Sequence, residues 1–281
     1  SGDLELRKAI AKKIQTQNNL NVEFENVMVT NGAKQAIYNL FQVLLNDGEE
    51  VIIPAPYWLS YPQMVRLAGG KPVLLNSSAE DGFKINIQDL KSKISPKTKF
   101  IIINSPNNPT GRVMPKEELS QIAEVVRENK NINILSDEIY ELILKKEFKH
   151  LSLASLAPDL KERIFIINGF AKGWAMTGWR VGYLVGQKDV IRASSALQSQ
   201  STSNVCSFVQ RGALKALKIN QEFFLKINSH YDLRREVLYK GLKNIEGLFI
   251  YPPNGAFYAF PRLPNNSMTS VAVSYTHLTL P

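Results

Sequence analysis

The sequence predicts an α/β fold, a mostly parallel sheet sandwiched by helices, and three observations carry that prediction. Short apolar runs rich in Val and Ile alternate with stretches of helical periodicity along most of the chain. The clearest run, Thr98 to Ile103, is apolar without period-two alternation after its first residues, as suits a strand buried on both faces. The loops that follow the runs each hold a chemically distinct group, and α/β folds gather ligands at the carboxyl ends of their strands.

In chain order, Leu6, Ile10 and Ile14 give residues 4–17 a helical stripe. A strand at 27–30 turns through Asn31-Gly32 into a helix over 33–45, patterned by Ile37, Leu40, Phe41 and Leu44. The strand at 50–53 leads through Pro54 and Pro56 to a helix from Tyr57-Trp58 to about Leu67. Strands follow at 71–75, 98–103, 132–135, 163–167 and 181–185. Between them lie helices near 87–94 and 115–128, the second with Pro115 at its first helical position. Helices over about 189–200, 205–217 and 221–245 complete the main body.

Composition narrows the class. With 281 residues, 44% apolar and 21% charged, the chain has ample core for one large domain or two modest ones. No apolar run approaches the roughly 20 residues of a bilayer span. No signal peptide is visible, although the start at Ser1 leaves room for a missing N-terminal segment. The single cysteine, Cys206, excludes an internal disulfide framework and accords with a reducing cytoplasm. His150, His230 and His277 lack ligand spacing, so no metal site is expected. The formal charge of +9 is spread among acids, as in Lys145-Lys146-Glu147, which argues for a solvated surface and against nucleic acid.

Five loops are candidates for chemistry. Gly32-Ala33-Lys34 opens a helix whose free amides and positive end suit a phosphate, the alternative being an ordinary turn. The stretch 104–111 stiffens three Asn side chains with two prolines. Ser136-Asp137-Glu138-Ile139-Tyr140 sets a carboxylate and a phenol three residues apart, although Ser136 or Asp137 could simply cap a helix. Trp58 follows a proline-bracketed turn. The segment Asn168–Gly182 holds Lys172 and Arg180 among small residues that let a bound molecule approach the backbone, with a solvated surface lysine as the alternative.

Together these residues carry a resemblance. Asn-Pro-Thr-Gly at 108–111, Ser-Asp-Glu-Ile-Tyr at 136–140, and Lys172 followed eight residues later by Arg180 resemble class I pyridoxal-phosphate aminotransferases. Asn31-Gly32-Ala33-Lys34-Gln35-Ala36, Pro56-Tyr57-Trp58 and Ala175-Met176-Thr177-Gly178-Trp179-Arg180 resemble the bacterial aspartate aminotransferase subgroup. The likeness runs in order from about Gly2 to Pro261.

The resemblance implies a fold-type I large domain over residues 1–240, the start of an incomplete small α+β domain over 241–270, and a non-native tail over 271–281. It implies pyridoxal 5'-phosphate as cofactor, with Lys172 as its resting Schiff-base partner and proton carrier. Asp137 is expected at the pyridine nitrogen, and Asn108 and Tyr140 at the ring oxygen. Trp58 is expected on the ring face, and Arg180 with Gly32, Ala33 and Lys34 on the phosphate. Lys172, Asp137 and Tyr140 form the catalytic set, and Trp58 and Asn108 also face substrate. The implied reaction is amino transfer between an amino acid, expected to be aspartate, and a 2-oxoacid, by a homodimer. A lyase or synthase on the same fold, or a cofactor-binding regulator domain, are the alternatives. Ala171 stands where many relatives carry Ser. The arginine that binds the substrate α-carboxylate is expected beyond Pro264, so the chain by itself is expected to turn over poorly.

Overall fold

The computed structural model describes residues 1–263. The expected tail at 271–281 and the last part of the expected small-domain start, 264–270, lie outside the described residues.

Helix α1 (Leu4–Asn18) starts where the Asp3 side chain accepts from the amides of Glu5 and Leu6, and ends at Asn19 in a left-handed conformation. Its Leu6, Ile10 and Ile14 are fully buried. Strand β1 (Val27–Thr30) leads into α2 (Ala33–Leu44), and β2 (Glu50–Pro54) is followed by α3 (Ser60–Leu67) and β3 (Lys71–Leu75). Then come α4 (Ile87–Lys93), β4 (Thr98–Asn104), α5 (Lys116–Glu128), β5 (Asn133–Asp137) and a short α6 (Leu153–Leu156). The chain continues through β6 (Ile164–Gly169), β7 (Gly182–Val185), α7 (Lys188–Ser201), α8 (Ser207–Ala216) and α9 (Gln221–Lys243). A small hairpin, β8 (Phe249–Ile250) with β9 (Pro261–Arg262), closes the described residues.

The seven-stranded sheet has the order β1-β7-β6-β5-β4-β2-β3. All pairs from β6 to β3 are parallel, while β7 runs antiparallel to both β6 and β1. Strand β1 is thereby parallel to β6, so its carboxyl end reaches the same sheet edge as those of β2, β4, β5 and β6. Side chains alternate between two apolar layers. Ile101, Ile103, Ile134 and Ile166 face α1, α5 and α8, whereas Phe100, Ile102, Leu135, Phe165 and Ile167 face α2 and α3. The order reverses between β2 and β4, and the loops leaving those strands diverge there to open a crevice.

Three local expectations are corrected. Helix α3 begins at Ser60, not at Tyr57-Trp58, because Pro56 and the following turn keep that segment irregular. Pro115 is the N-cap of α5, with ψ 161 still extended, not its first helical residue. Neither Ser136 nor Asp137 caps a helix, since the chain after β5 forms turns instead. Helix α6 and the β8–β9 pairing are too short to leave a periodic signal. No helix among the described residues is long and apolar enough to cross a membrane.

Candidate active site

A cavity of about 270 Å³ opens at the shared carboxyl edge. Its lining includes every residue singled out from the sequence: Gly32, Ala33, Lys34, Trp58, Asn108, Asp137, Tyr140, Lys172 and Arg180. Tyr61, Asn104, Ile139, Ala171, Thr177 and Tyr258 also line it and had not been singled out as site residues.

One wall is a cradle for an anion. Gly32 is the N-cap of α2 with φ 84, and no side chain caps that helix end. A Cβ built on Gly32 would lie 2.8 Å from Nη2 of Arg180, so the guanidinium packs directly against the helix start. Gly182 makes that approach possible, because a Cβ there would sit 2.5 Å from the Ala33 nitrogen. The guanidinium, the unpaired first-turn amides and the helix dipole all present positive charge to one point. Arg180 itself takes a left-handed conformation, φ 50, and Ala175 does the same at φ 54. Neither residue is Gly, so each conformation stores strain on the order of 1–2 kcal/mol. The fold holds them there: Nη1 of Arg180 donates to the Thr177 carbonyl at 3.1 Å, and the Thr177 hydroxyl donates to the Ala171 carbonyl at 2.8 Å. Trp174 anchors the loop from below, donating through Nε1 to the Ala216 carbonyl at 3.0 Å, while Trp179 stays exposed.

The opposite wall is organised by Asp137 at the end of β5, 3% exposed. The Tyr61 hydroxyl donates to its Oδ2 at 2.6 Å, and the Ile139 amide donates to Oδ1 at 3.3 Å. Burial pushes this carboxyl up to about 6, with the Tyr61 and Ile139 donors opposing and Glu138 reinforcing the rise. Asn104 staples the neighbouring loop by donating through Nδ2 to the Asp137 carbonyl at 3.0 Å and accepting from the Asn108 amide at 2.8 Å. The stiffness foreseen for 104–111 thus fixes Asn108 relative to Asp137.

Between these walls, the Lys172 ammonium lies 5.8 Å from the Tyr140 ring centroid and 5.4 Å from that of Phe257. Burial and the Arg180 guanidinium both lower its pKa, and among the described residues no carboxylate offsets them. Tyr140 is buried and its hydroxyl contacts that of Tyr258. Lys34 contributes more than an amide: its ammonium sits 4.9 Å from the Trp58 ring centroid, against the face expected to meet a bound ring.

Behind the site, Glu138, Glu141 and His150 bring ligand atoms within 4.8 Å of one another. Lys13 already occupies Glu141 at 2.6 Å, and His150 Nε2 bonds Glu138 at 3.0 Å. Two cations therefore balance two carboxylates when His150 is protonated, and the cluster is an internally compensated ion-pair network. Ser136 and Ser152 add hydroxyl donors to Glu138 at 2.8 and 2.7 Å.

The donor set fits pyridoxal 5'-phosphate: an anion cradle, a buried carboxylate across the cavity, and an amine of lowered pKa between them. Comparison with known proteins agrees. The sequence profile for "Aminotransferase class I and II" matches residues 1–278, a family known to use that cofactor. The chain is 46% identical over 255 residues to the probable aspartate/prephenate aminotransferase of Rickettsia felis, covering 91% of this chain and 62% of that protein. It is 46% identical over 262 residues to the aspartate aminotransferase of Bacillus subtilis, covering 93% and 66% respectively. The aspartate aminotransferase of Thermus thermophilus with maleate superposes with a TM-score of 0.87 at 43% identity, over 92% of this chain and 67% of that one. The aromatic aminotransferase of Pyrococcus horikoshii gives 0.94 at 40% identity, over 99% and 74%. The chain thus spans about 62% of the length of the first of these relatives. With the strand order, the cradle and the comparisons in agreement, the chain belongs to the class I and II aminotransferase family.

Proposed function

We propose that the protein is a pyridoxal 5'-phosphate-dependent amino-acid:2-oxoacid aminotransferase with aspartate as an amino donor. The observation that carries this reading is the convergence of Lys172, Asp137, Tyr140, Asn108, Trp58 and Arg180, from separate strand ends, on one cavity. The cofactor supplies an electron sink for the pair left when the substrate Cα loses its proton. The chain's own residues do the rest. Arg180 and the Ala33 and Lys34 amides would bind the phosphate beside Gly32, whose own amide donates to the Thr30 carbonyl at 2.8 Å, the planar guanidinium giving a forked contact. Asp137 holds a proton on the ring nitrogen, and that cation in turn favours the carboxylate against its burial. Tyr140 and Asn108 would donate to the ring oxygen, and Trp58 would cover the ring face. Lys172 would attach the cofactor and, when free, would carry a proton between the substrate Cα and the cofactor, which needs a neutral amine. Its lowered pKa supplies that form closer to neutrality.

Aspartate is supported by the relatives' names. Lys34, Lys172 and Arg180 face one carboxylate, Asp137, a net positive lining that suits the anionic cofactor. The test is oxaloacetate formation from aspartate and 2-oxoglutarate by the full-length gene product, with prephenate and aromatic oxoacids as alternative acceptors. Binding of the cofactor without amino transfer to any of them would overturn the reading. A homodimer is part of the proposal: Leu59 and Trp179 flank cavity residues, and with Phe208 they expose apolar surface for a second copy to cover. So are a cytoplasmic location, supported by the single cysteine, and a large domain ending near residue 240, where α9 approaches its end at Lys243.

A further inference from the structure

Tyr140 and Tyr258 are 118 residues apart in sequence, yet their hydroxyls are in hydrogen-bond contact at the cavity wall. Their rings meet edge to face, with centroids 5.5 Å apart and planes at 80°. The contact is built into the backbone. The Asn254 and Gly255 amides both donate to the Gly111 carbonyl at 2.8 Å, which ties this segment to the loop carrying Asn108. The Ala256 amide donates to the Ile143 carbonyl at 2.9 Å, which ties it to the turn carrying Tyr140. Nη2 of Arg235 donates to the Ala256 carbonyl at 3.0 Å and holds the segment from the α9 side.

A phenol has one proton. Tyr140 cannot donate to Tyr258 and to a bound anion at once; its side chain is buried, and the Asn108 side chain is the other polar partner of its hydroxyl. Tyr258 is only half-buried, so solvent can serve its own oxygen when it acts as donor. Resting on the function proposed above, we propose that Tyr258 is a positioning residue: its hydroxyl donates to the Tyr140 oxygen and commits the Tyr140 proton to the oxygen of the bound cofactor ring. The charged groups facing the pair are Lys172, over the Tyr140 ring, and Asp137 across the cavity. A donor feeding a donor polarises it, which strengthens the terminal bond by about 10–30%.

The readout is the pH midpoint of the bound cofactor's visible absorbance, measured in the loaded protein. A hydrogen bond to the ring oxygen stabilises the deprotonated chromophore, in which that oxygen carries more negative charge, so losing the bond raises the midpoint. Tyr258→Phe is expected to raise it by about 0.2–0.6 pH units. Tyr140→Phe is expected to raise it further, and Tyr258→Phe added to Tyr140→Phe is expected to change nothing more. An unchanged midpoint in Tyr258→Phe, or the same shift with and without Tyr140, would overturn the proposal. A wild-type protein that develops no visible absorbance with pyridoxal 5'-phosphate would instead overturn the functional reading on which it rests.

Discussion

Asp137 is held against its own solvation. In the cofactor-free protein burial pushes its carboxyl up to about 6, from an ordinary value of 3.8. A raised native pKa means that the folded state binds the proton more tightly than the unfolded chain. The group's contribution to stability therefore declines as pH rises from about 4 to about 6 and stays low above that. Asp137→Asn should stabilise the cofactor-free protein by about 2–3 kcal/mol at pH 7–8, and by little at pH 4, as read from denaturant unfolding. The same substitution should abolish tight cofactor binding. A variant equally destabilised at both pH values would show that Asp137 is a structural carboxylate. Tyr61→Phe removes a donor that lowers the Asp137 pKa, so the pH below which cofactor affinity falls should move upward. Titration of affinity against pH in the two proteins checks the direction. Tyr61 was not legible as a site residue, because only the burial of α3 against β5 reveals what its hydroxyl reaches.

At the level of elements, the site depends on how closely α2 meets the loop carrying Arg180. Gly32→Ala imposes a left-handed conformation on a residue with a Cβ and pushes that Cβ into the guanidinium. The expected result is a stability loss of about 1–2 kcal/mol and at least a tenfold loss of cofactor affinity, read by fluorescence titration. Retained affinity would mean that the cradle lies elsewhere. Helix α1 is pinned differently, through the buried Lys13–Glu141 pair. Burial disfavours the Lys13 charge, but Glu141, Tyr183 and Glu138 outweigh it and raise its pKa. Lys13→Met strands Glu141 among buried groups, and thermal unfolding should report a loss of about 3–5 kcal/mol. The loops themselves were legible, since Lys172, Arg180 and the 104–111 and 136–140 segments carry residue types that turns do not require. The network behind them was not. Lys13, Glu138, Glu141 and His150 share no sequence spacing, and they meet only when α1 folds onto the turn after β5.

For the whole molecule, continuous apolar runs such as 98–103 were enough to predict buried parallel strands, and the structure has them. Period alone could not assign β7, whose antiparallel direction follows from the return of the chain after the Arg180 loop. Nor could it place Tyr258, which reaches the cavity only because the segment after α9 bonds back to Gly111 and Ile143. Exposed Leu59, Trp179 and Phe208 lead to an expected dimer, and sedimentation at micromolar concentration should show twice the chain mass. Substitution of Phe208 by Asp should shift that equilibrium toward monomer. The central claim is that Lys172 is the group that holds the cofactor. It is tested most directly by loading the protein with pyridoxal 5'-phosphate, reducing with borohydride and mapping the modified peptide. One dominant adduct on Lys172 is expected, lost in Lys172→Ala with the fold intact. Adducts scattered over surface lysines, with Lys172 unmodified, would contradict it.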